Sequence, residues 1–524
     1  MADVKSYDFI VIGSGFGGSV SALRLMEKGY KVAIIEKGKR YRPEDYAKTS
    51  WNLRKFLWRP EVGLYGIQYI TFLKNVLILH GAGYGGGSLV YANQLLTPPD
   101  EFFKRKEWGS GDWKTKLMPF YDEAKRMLGA TPCPAIGKAD EVLAEVGKEI
   151  RGEDTFHIND VGVFFDDSEK KVPDPYFGGK GPERKGCTFC GACMVGCRDD
   201  GKNTLDKNYL YLAEQLGLDV FSETEVTDVS PSNSGYELKT RKSTGLLHPK
   251  NTFHTANVVF SGGVMGTFKL LAQCKDKGHL PNISDRLGDF TRTNSETLLG
   301  VKAKDRHADY SDALAITSGI YPDDETHIEI VRYNKGSDSM GLLTTLLVDG
   351  GGWVPRPIKL LGKIFRHPLE FLKVASPVGF GARVSILLVM QTTENYLKLN
   401  YKRKWWRFGG KSINSKVAEG SDKIPTYFPI ANKVARRMAE KMDAVAGGTW
   451  NEVFGMSITA HILGACSMGE TADKGVVDFK GRVHGYPGLY IADGSVIPAN
   501  LGVNPSLTIT ALSEYIMSEV PAKN

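Results

Sequence analysis

The sequence predicts an α/β protein of two intertwined domains. A chain of 524 residues exceeds the size that one hydrophobic core normally supports, so two domains are expected. The N-terminal segment reads as strand, glycine-rich loop and helix, and the C-terminal segment as strand, loop and helix, which indicates one domain assembled from both ends. The hydrophobic content of 42% and the charged content of 24% are those of ordinary globular proteins and exclude a largely disordered chain.

The N-terminal segment carries a nucleotide-binding pattern. Residues 7–12 are mostly apolar and predict a strand, residues 13–18 (Gly-Ser-Gly-Phe-Gly-Gly) predict a tight turn, and a helical pattern follows. Glycines let the backbone approach a pyrophosphate, whose charge is met by amides at the helix N-terminus. Glu36 ends the next predicted strand, where an acid can bind ribose hydroxyls and disfavours a 2′-phosphate. This pattern predicts FAD or NAD, with a ligand-free glycine turn as the alternative.

Two further segments extend the nucleotide site. Residues 81–90 (Gly-Ala-Gly-Tyr-Gly-Gly-Gly-Ser-Leu-Val) are too rich in glycine for a packed element and predict backbone lying against a ligand. Residues 488–495 predict a strand and a loop, and residues 502–511 contain Gly-Val-Asn-Pro followed by a helical pattern. Proline is favourable at a first helical position, so we expect a helix to begin near Pro505.

Together these motifs resemble the glucose-methanol-choline (GMC) oxidoreductase family, most closely its bacterial cholesterol oxidase-like branch, along nearly the whole chain. The resemblance includes His461 in His-Ile-Leu-Gly-Ala-Cys-Ser-Met-Gly and Asn504 in Gly-Val-Asn-Pro. It implies a Rossmann-type FAD-binding domain with a mixed sheet, intertwined with an α+β substrate domain built on an antiparallel sheet. One departure is that Tyr-Ala-Asn stands at residues 91–93, where relatives have Asn-Gly-Gly.

The resemblance also implies positions for FAD. The pyrophosphate would lie near the first glycine loop, the adenosine ribose at Glu36, the adenine at Val226 and the flavin beside Gly87. The helix after Pro505 would point its positive end at the flavin, which favours a reduced, anionic ring. The full set of residues implied to bind the cofactor is Gly13, Gly15, Phe16, Gly18, Glu36, Gly83, Gly87, Ser88, Asn93, Val226, Gly262, Asp493, Gly494, Pro505 and Ser506.

Three residues are the candidates for catalysis. Oxidation of an alcohol by a flavin needs a group that takes the hydroxyl proton, and histidine suits this near pH 7. The resemblance implies that His461 is that base or hydrogen-bond partner and that Asn504 donates to the substrate oxygen. Cholesterol oxidases also carry a glutamate that moves a proton to shift the steroid double bond, and Glu329 in Thr-His-Ile-Glu-Ile is its candidate. A plain strand glutamate is the alternative for that position.

Four cysteines form a second motif. Cys187, Cys190, Cys193 and Cys197 have the spacing of bacterial ferredoxin ligands, although Arg198 stands where that motif has proline. The spacing predicts an iron-sulfur cluster, with zinc or reduced structural thiols as alternatives. A cluster would let electrons pass one at a time to a quinone or protein acceptor, so dehydrogenase and oxygen-consuming oxidase both remain open.

The domains divide by motif. We predict that residues 1–45, 72–100, 200–290 and 451–524 form the FAD-binding domain. Residues 46–71, 101–199 and 291–450 would form the substrate domain, including the cysteine loop 187–197.

The predicted activity is FAD-dependent oxidation of an alcohol to a ketone or aldehyde, with a sterol or another bulky hydrophobic secondary alcohol as substrate. Alternatives are a non-sterol alcohol dehydrogenase passing electrons through an iron-sulfur cluster, a flavin and iron-sulfur electron-transfer protein, and a redox-neutral isomerase. The formal charge of +7 is small for this length, and we predict no nucleic-acid partner. The N-terminus shows no secretory pattern, which predicts a cytoplasmic protein. Residues 353–373 mix apolar and basic side chains between prolines and predict peripheral membrane contact or a solvated loop.

Overall fold

A computed structural model describes residues 6–403 and 410–523. The strands are β1 (Ser6–Ile12), β2 (Val32–Ile35), β3 (Trp58–Arg59), β4 (Leu64–Tyr65), β5 (Gln68–Phe72), β6 (Val76–Gly81), β7 (Ala130–Pro132), β8 (His157–Ile158), β9 (Asp160–Gly162), β10 (Lys171–Val172), β11 (Arg184–Lys185), β12 (Asp219–Phe221), β13 (Thr224–Ser232), β14 (Gly235–Lys242), β15 (Lys250–Phe260), β16 (Thr297–Ala303), β17 (Ile316–Ile320), β18 (Thr326–Val331), β19 (Thr344–Leu346), β20 (Val384–Gln391), β21 (Leu397–Arg403), β22 (Lys411–Val417), β23 (Ala444–Thr449), β24 (Ser457–Thr459) and β25 (Leu489–Ile491).

The helices are α1 (Phe16–Glu27), α2 (Leu53–Phe56), α3 (Asp100–Phe103), α4 (Trp113–Leu128), α5 (Lys138–Arg151), α6 (Tyr209–Gln215), α7 (Gly263–Asp276), α8 (Arg356–Arg366), α9 (Pro368–Ala375), α10 (Phe380–Arg383), α11 (Pro429–Lys441), α12 (Trp450–Val453) and α13 (Ser506–Ser518).

A mixed sheet of seven strands unites the two ends of the chain. Strands β12, β2, β1 and β15 lie side by side and parallel, and β25 pairs parallel with the C-terminal half of β15. Strands β13 and β14 continue the sheet antiparallel from the N-terminal half of β15. The strands nearest both termini therefore end at the same edge, and ligands of open α/β sheets bind at the carboxyl ends of such strands.

A second sheet of seven strands forms the other domain, in the order β19-β23-β16-β20-β18-β17-β8 with antiparallel pairing throughout. Apolar side chains alternate along β18, so that Ile328 and Ile330 face α5 and α11 in one core. His327 and Glu329, on the opposite face, are buried as well. The expected antiparallel sheet of the substrate domain is present.

Helix α4 lies within 101–199, the segment that we predict to belong to the substrate domain. Its residues Leu117 and Tyr121 belong to the same hydrophobic core as strands β1 and β2. The Tyr121 hydroxyl donates to Thr508 Oγ1 of α13 at 2.9 Å. We therefore propose that α4 is part of the FAD-binding domain, and the remaining division stays a prediction.

The segment 353–373 is mostly helical rather than a loop, and its two helices, α8 and α9, are separated at His367. Pro355 precedes α8 and Pro368 begins α9, so these prolines start helices, where a missing amide hydrogen is not needed. Leu360 is buried, whereas Phe365 is exposed. Across both described ranges, no helix has the length and apolarity required to cross a bilayer.

Exchanges of two loop glycines should separate folding from cofactor binding. Gly13 has a φ of 100°, and a Cβ there would collide with the Ser261 carbonyl oxygen. A Cβ at Gly15 would come no closer than 4.0 Å to its nearest neighbour, Gly86 Cα, so there is room for it. We expect Gly13→Ala to lower the free energy of unfolding by more than about 2 kcal/mol, and Gly15→Ala to fold normally but bind FAD more weakly.

Denaturant unfolding of the apoproteins and flavin retention on gel filtration measure these two effects. Equal stability of both variants would contradict the assignment of Gly13 to the turn.

Candidate active site

A cavity lies where the carboxyl ends of the mixed sheet meet the antiparallel sheet, and three helices begin at its wall. Helices α1, α7 and α13 start there, and within the described ranges none of their N-terminal amides is capped by the side chain of its N-cap residue. Uncapped helix N-termini attract anions through their free amides and the helix dipole. The cavity therefore fits a ligand that carries several negative charges, such as a dinucleotide pyrophosphate.

Most of the residues predicted to bind the cofactor line this cavity. They are Gly13, Gly15, Phe16, Glu36, Gly87, Val226, Gly262, Asp493, Gly494, Pro505 and Ser506. They come from four distant parts of the sequence, which the mixed sheet and its loops bring together.

Four other predicted residues support the cavity from behind. A Cβ at Gly18 would collide with the Gly13 carbonyl, so Gly18 permits the close packing of α1 on the loop. Gly83, with a φ of 145°, packs against the Leu89 side chain. Ser88 Oγ donates to the Gly85 carbonyl and accepts from the Leu205 amide. Asn93 is buried with a φ of 71°, between the lining residues Ala92 and Gln94.

Two buried acids shape the nucleotide half. Glu36 accepts from the amide and the hydroxyl of Ser14 at 3.1 and 2.8 Å, and from the Gly38 amide at 2.7 Å. Asp493 accepts from the Thr267 hydroxyl at 2.6 Å and from the Ser495 amide at 2.8 Å. Burial raises the pKa of Asp493 above its ordinary value. Both carboxyl groups thus hold the loops that surround the cavity in place.

His461 is paired with an acid that sequence reasoning missed. Its Nδ1 lies 2.9 Å from Glu296 Oε2, in the arrangement of an ion pair rather than a well-aligned hydrogen bond. Burial alone would lower the pKa of His461, but the Glu296 carboxylate outweighs it and raises the pKa above its ordinary value. Glu296 is itself held by the Thr459 hydroxyl at 2.9 Å and by the Ala460 amide at 3.2 Å.

Asn504 is held by the third candidate residue. Its Nδ2 donates to Glu329 Oε2 at 3.1 Å, while Asn159 Nδ2 donates to Glu329 Oε1 at 2.7 Å. Burial raises the pKa of Glu329 to about 7. Asn504 lines the cavity and Glu329 lies behind it. The Asn504 Oδ1 atom is buried, and no group within the described ranges donates a hydrogen bond to it. This acceptor is therefore available to a bound group.

The other half of the cavity is apolar. Its wall comes from strands β16, β17, β18 and β20, the turn before β19 and the cysteine loop. The apolar side chains in it are Met194, Leu298, Ile316, Val331, Tyr333, Met340, Leu343, Phe380, Val384, Ile386 and Leu388. This wall suits a large hydrophobic substrate whose polar end reaches His461 and Asn504.

A buried lysine, Lys202, connects the cysteine loop to the segment around residues 89–91. Lys202 Nζ donates to the carbonyls of Leu89, Tyr91 and Cys193 at 3.1, 2.8 and 2.8 Å, and burial lowers its pKa to about 7. Burial raises the pKa of Cys187 and of Cys193. Over the described ranges, no group of three or more candidate ligands is arranged to hold a metal ion.

Comparison with known proteins decides the family. The chain is 47% identical to a cholesterol oxidase of Mycobacterium tuberculosis over 531 residues, which covers 99% of this chain and 91% of that protein. It is 45% identical to a cholesterol oxidase of Acinetobacter baumannii, with 99% and 95% covered. The chain belongs to the GMC oxidoreductase family. Two family models agree, since a GMC oxidoreductase model matches residues 420–513 and an FAD-binding domain model matches residues 8–45.

More distant comparisons show the fold. Pyridoxine 4-oxidase from Mesorbium loti has a TM-score of 0.63 at 15% identity, with 98% of both chains covered. A formate oxidase has a TM-score of 0.63 at 14% identity, covering 99% of this chain and 98% of that one. The predicted α/β fold, with a Rossmann-type FAD-binding domain and a sheet-based substrate domain, is therefore confirmed.

The predicted cofactor FAD and the predicted enzyme class are confirmed too. This GMC oxidoreductase is an FAD-dependent enzyme that oxidises a CH–OH group. FAD fits the residues described above, because the uncapped N-termini of α1, α7 and α13 at the cavity wall would bind its pyrophosphate, and the bound flavin would supply a hydride acceptor.

Sequence reasoning missed three residues of the site. Glu296 follows two residues of positive φ, Asn294 and Ser295, before β16, and no spacing relates it to His461. Asn159 and Gln94 complete the network of Glu329, with 2.6 Å between Asn159 Nδ2 and Gln94 Oε1. The sequence signal for Gln94 was its position next to the predicted residue Asn93, four residues after the glycine-rich segment 81–90.

Replacing Glu296 should move the pH dependence of catalysis. If neutral His461 takes the substrate proton, kcat/KM rises as pH increases through the pKa of His461. Glu296→Gln removes the charge that raises this pKa, so the rise should occur at lower pH than in the wild type. Profiles of kcat/KM between pH 5 and pH 9 measure the midpoint.

Glu452→Gln is the matched control. Glu452 is also a buried carboxyl group, whose pKa burial raises to about 7, and it accepts from the Thr297 hydroxyl. This variant should keep the wild-type midpoint. A midpoint unchanged in Glu296→Gln would show that Glu296 does not set the pKa of His461.

Proposed function

We propose that this enzyme oxidises the hydroxyl group of a sterol, or of a similarly bulky hydrophobic secondary alcohol, to a ketone. The observation that carries the proposal is the junction of the apolar wall with the His461–Glu296 pair and with Asn504 in one cavity. The identity of 45–47% to two cholesterol oxidases over 99% of the chain supports it. A long-chain-alcohol oxidase of Arabidopsis thaliana is 24% identical, so a linear alcohol is the substrate class to test against sterols.

The residues of the site divide the chemistry among them. The bound flavin supplies a hydride acceptor. Asn504 orients the substrate oxygen at the apolar end of the cavity, and His461 takes the hydroxyl proton, with Glu296 stabilising the imidazolium that forms. The apolar wall excludes water and strengthens these interactions. For a 5-ene sterol, Glu329 moves a proton along the ring and shifts the double bond into conjugation with the new ketone.

Anaerobic mixing with alcohols tests the substrate. A 3β-hydroxysterol should bleach the flavin band faster than a long-chain primary alcohol does. His461→Ala should retain FAD and lose at least about a hundredfold in the rate of bleaching, because its proton acceptor is missing. Faster bleaching by the linear alcohol would contradict the sterol assignment, and full activity of His461→Ala would contradict the role of the histidine.

The electron acceptor is proposed to be oxygen, in line with the names of the relatives. Peroxide release during aerobic turnover supports an oxidase, whereas turnover only with a dye or quinone supports a dehydrogenase. The iron-sulfur alternative for Cys187, Cys190, Cys193 and Cys197 is tested by iron and sulfide analysis of anaerobically purified enzyme.

We further propose that α8 and α9 rest on an anionic membrane surface. Trp353 and Phe365 are 94% and 84% exposed, and Leu369 is exposed beside them. Arg366 and Lys373 supply positive charge on the same segment. The segment lies between Leu343 and Phe380, which both line the apolar wall, so a substrate taken from a bilayer would be near its cavity. Amphipathic helices with basic residues bind anionic lipid in this way.

Vesicle binding tests this contact. The double variant Trp353→Ser/Phe365→Ser should sediment less with vesicles of phosphatidylcholine and phosphatidylglycerol than the wild type. Leu246→Ser/Leu247→Ser is the matched control, because these leucines are 98% and 83% exposed outside the segment, and it should bind like the wild type. Equal binding by all three proteins, or a wild-type dimer that only the first variant abolishes, would contradict membrane contact.

A further inference from the structure

A pair of histidines lies between the buried Glu329 and the surface. His327 Nε2 and His157 Nε2 are 3.1 Å apart, and the two rings are stacked with a centroid distance of 5.1 Å. His327 is 1% exposed, whereas His157 is partly exposed. Tyr321 stacks on both rings, at 4.6 and 5.2 Å. None of these three side chains has a role in the alcohol oxidation described above.

A missing side chain makes room for the pair. Gly319 of β17 is directly opposite Glu329 on one side and His157 on the other. Residues directly opposite in antiparallel strands share a face of the sheet, so Glu329, Gly319 and His157 form a row. A Cβ at Gly319 would collide with His327 Nε2. The two imidazoles therefore meet only because residue 319 is glycine.

The hydrogen bonds show which nitrogen of each histidine donates and which accepts. His157 Nδ1 lies 3.1 Å from the Thr155 carbonyl, which can only accept, so this nitrogen carries a proton. Burial lowers the pKa of His157 and of His327, which favours neutral rings. A neutral His157 then accepts at Nε2 from His327 Nε2–H. It follows that Nδ1 of His327 is an unprotonated acceptor.

That acceptor is unpaired within the described residues. His327 Nδ1 is buried and has no hydrogen-bond partner within 6–403 and 410–523, and the same holds for Asn159 Oδ1 beside Glu329. His327 and Glu329 are two residues apart on one strand face, so their Cα atoms are about 7 Å apart. The two side chains together with one bridging water molecule, which forms hydrogen bonds of about 2.8 Å, can cover that distance.

We propose that His327 and His157 form a proton relay through which the carboxyl group of Glu329 exchanges protons with solvent. A proton leaves the Glu329 carboxylic acid through a bridging water and arrives at His327 Nδ1. His327 Nε2–H passes its proton to His157 Nε2, and His157 Nδ1–H releases one to bulk water. Each ring keeps one proton, and the net change is a carboxylate and a hydrated proton. A proton moving inward by the reverse path restores the starting tautomers.

The relay gives Glu329 a way to reset between turnovers. Its carboxyl group is fully buried, and the titratable groups that act on it are His461 and Glu296 on the cavity side and Tyr321, which stacks on the two histidines. A bulky apolar substrate fills that side, so solvent reaches Glu329 from the opposite direction. This role rests on the proposed function, because it presumes that Glu329 handles protons during catalysis.

Infrared spectroscopy of the substrate-free holoenzyme tests the relay. Near pH 6 the C=O stretch of protonated Glu329, identified by its loss in Glu329→Gln, shifts when the protein is transferred to D2O. His327→Phe and His157→Phe keep the ring stack but remove the nitrogens, so this shift should become slower by about tenfold or more. Tyr321→Phe, which keeps the ring and lies outside the nitrogen path, should exchange at the wild-type rate.

A second carboxyl group provides an internal control. Glu452 is also buried and protonated in this pH range, and its band should exchange at the same rate in every variant. Slowing of both bands would indicate a global change in the protein and would overturn the relay, as would unchanged exchange of Glu329 in both phenylalanine variants. Imidazole added to His157→Ala should restore the rate.

The test separates the relay from the proposed function. The exchange rate is measured without substrate. It therefore tests the relay even if the enzyme does not oxidise sterols. With a 5-ene sterol deuterated at C4, a working isomerase without the relay should keep more deuterium in its product than the wild type does. Equal retention in wild type and in His327→Phe would also overturn the proposal.

Discussion

The arrangement of the site depends on two buried carboxyl groups, those of Glu296 and Glu329, because each needs partners that stabilise it. A buried carboxylate is costly unless charged or hydrogen-bonding groups surround it. Glu296 receives a hydroxyl, an amide and His461, and Glu329 receives Asn159 and Asn504. The acids therefore hold His461 and Asn504 at defined positions on the cavity wall.

The partners of these two carboxyl groups come from both domains. Glu296 and Glu329 belong to the antiparallel sheet and its approach, whereas His461 and Asn504 lie on loops that pack against the mixed sheet. The active site exists only where the two sheets meet, so the intertwined chain path is part of the catalytic arrangement. Helix α13, which begins just after Asn504, links the same point to the Rossmann core through Leu507 and Leu512.

The buried carboxyl groups also separate two kinds of proton chemistry. The charge of Glu296 acts on His461 and makes the imidazole a stronger base. Glu329 has its pKa raised to about 7 by burial and lies on the side of the His327–His157 pair. Acids in contrasting surroundings are a frequent way for an enzyme to run acid and base steps at neutral pH.

Local pattern explains which features could be predicted. Neighbouring residues are enough to predict the turn at Gly13 and Gly15, the acid at Glu36 and the helix start at Pro505. The nucleotide site could therefore be predicted from short segments of the sequence. The motifs around His461 and Asn504 were recognised by resemblance. Pro355 and Pro368 mark the starts of α8 and α9, because a proline is favourable in the first turn of a helix.

By itself, therefore, the sequence determined the α/β class and the FAD cofactor, and its resemblance to a family pointed to His461 and Asn504. Only the tertiary structure decided that Glu296 lies beside His461, that α4 packs in the core of the mixed sheet and that Gly319 leaves room for two histidines to meet. The physical reason is the distance along the chain between interacting residues. Turns, helix starts and strand periodicity depend on adjacent residues. Burial and the pairing of Glu296 with His461, 165 positions away, depend on how the two sheets pack.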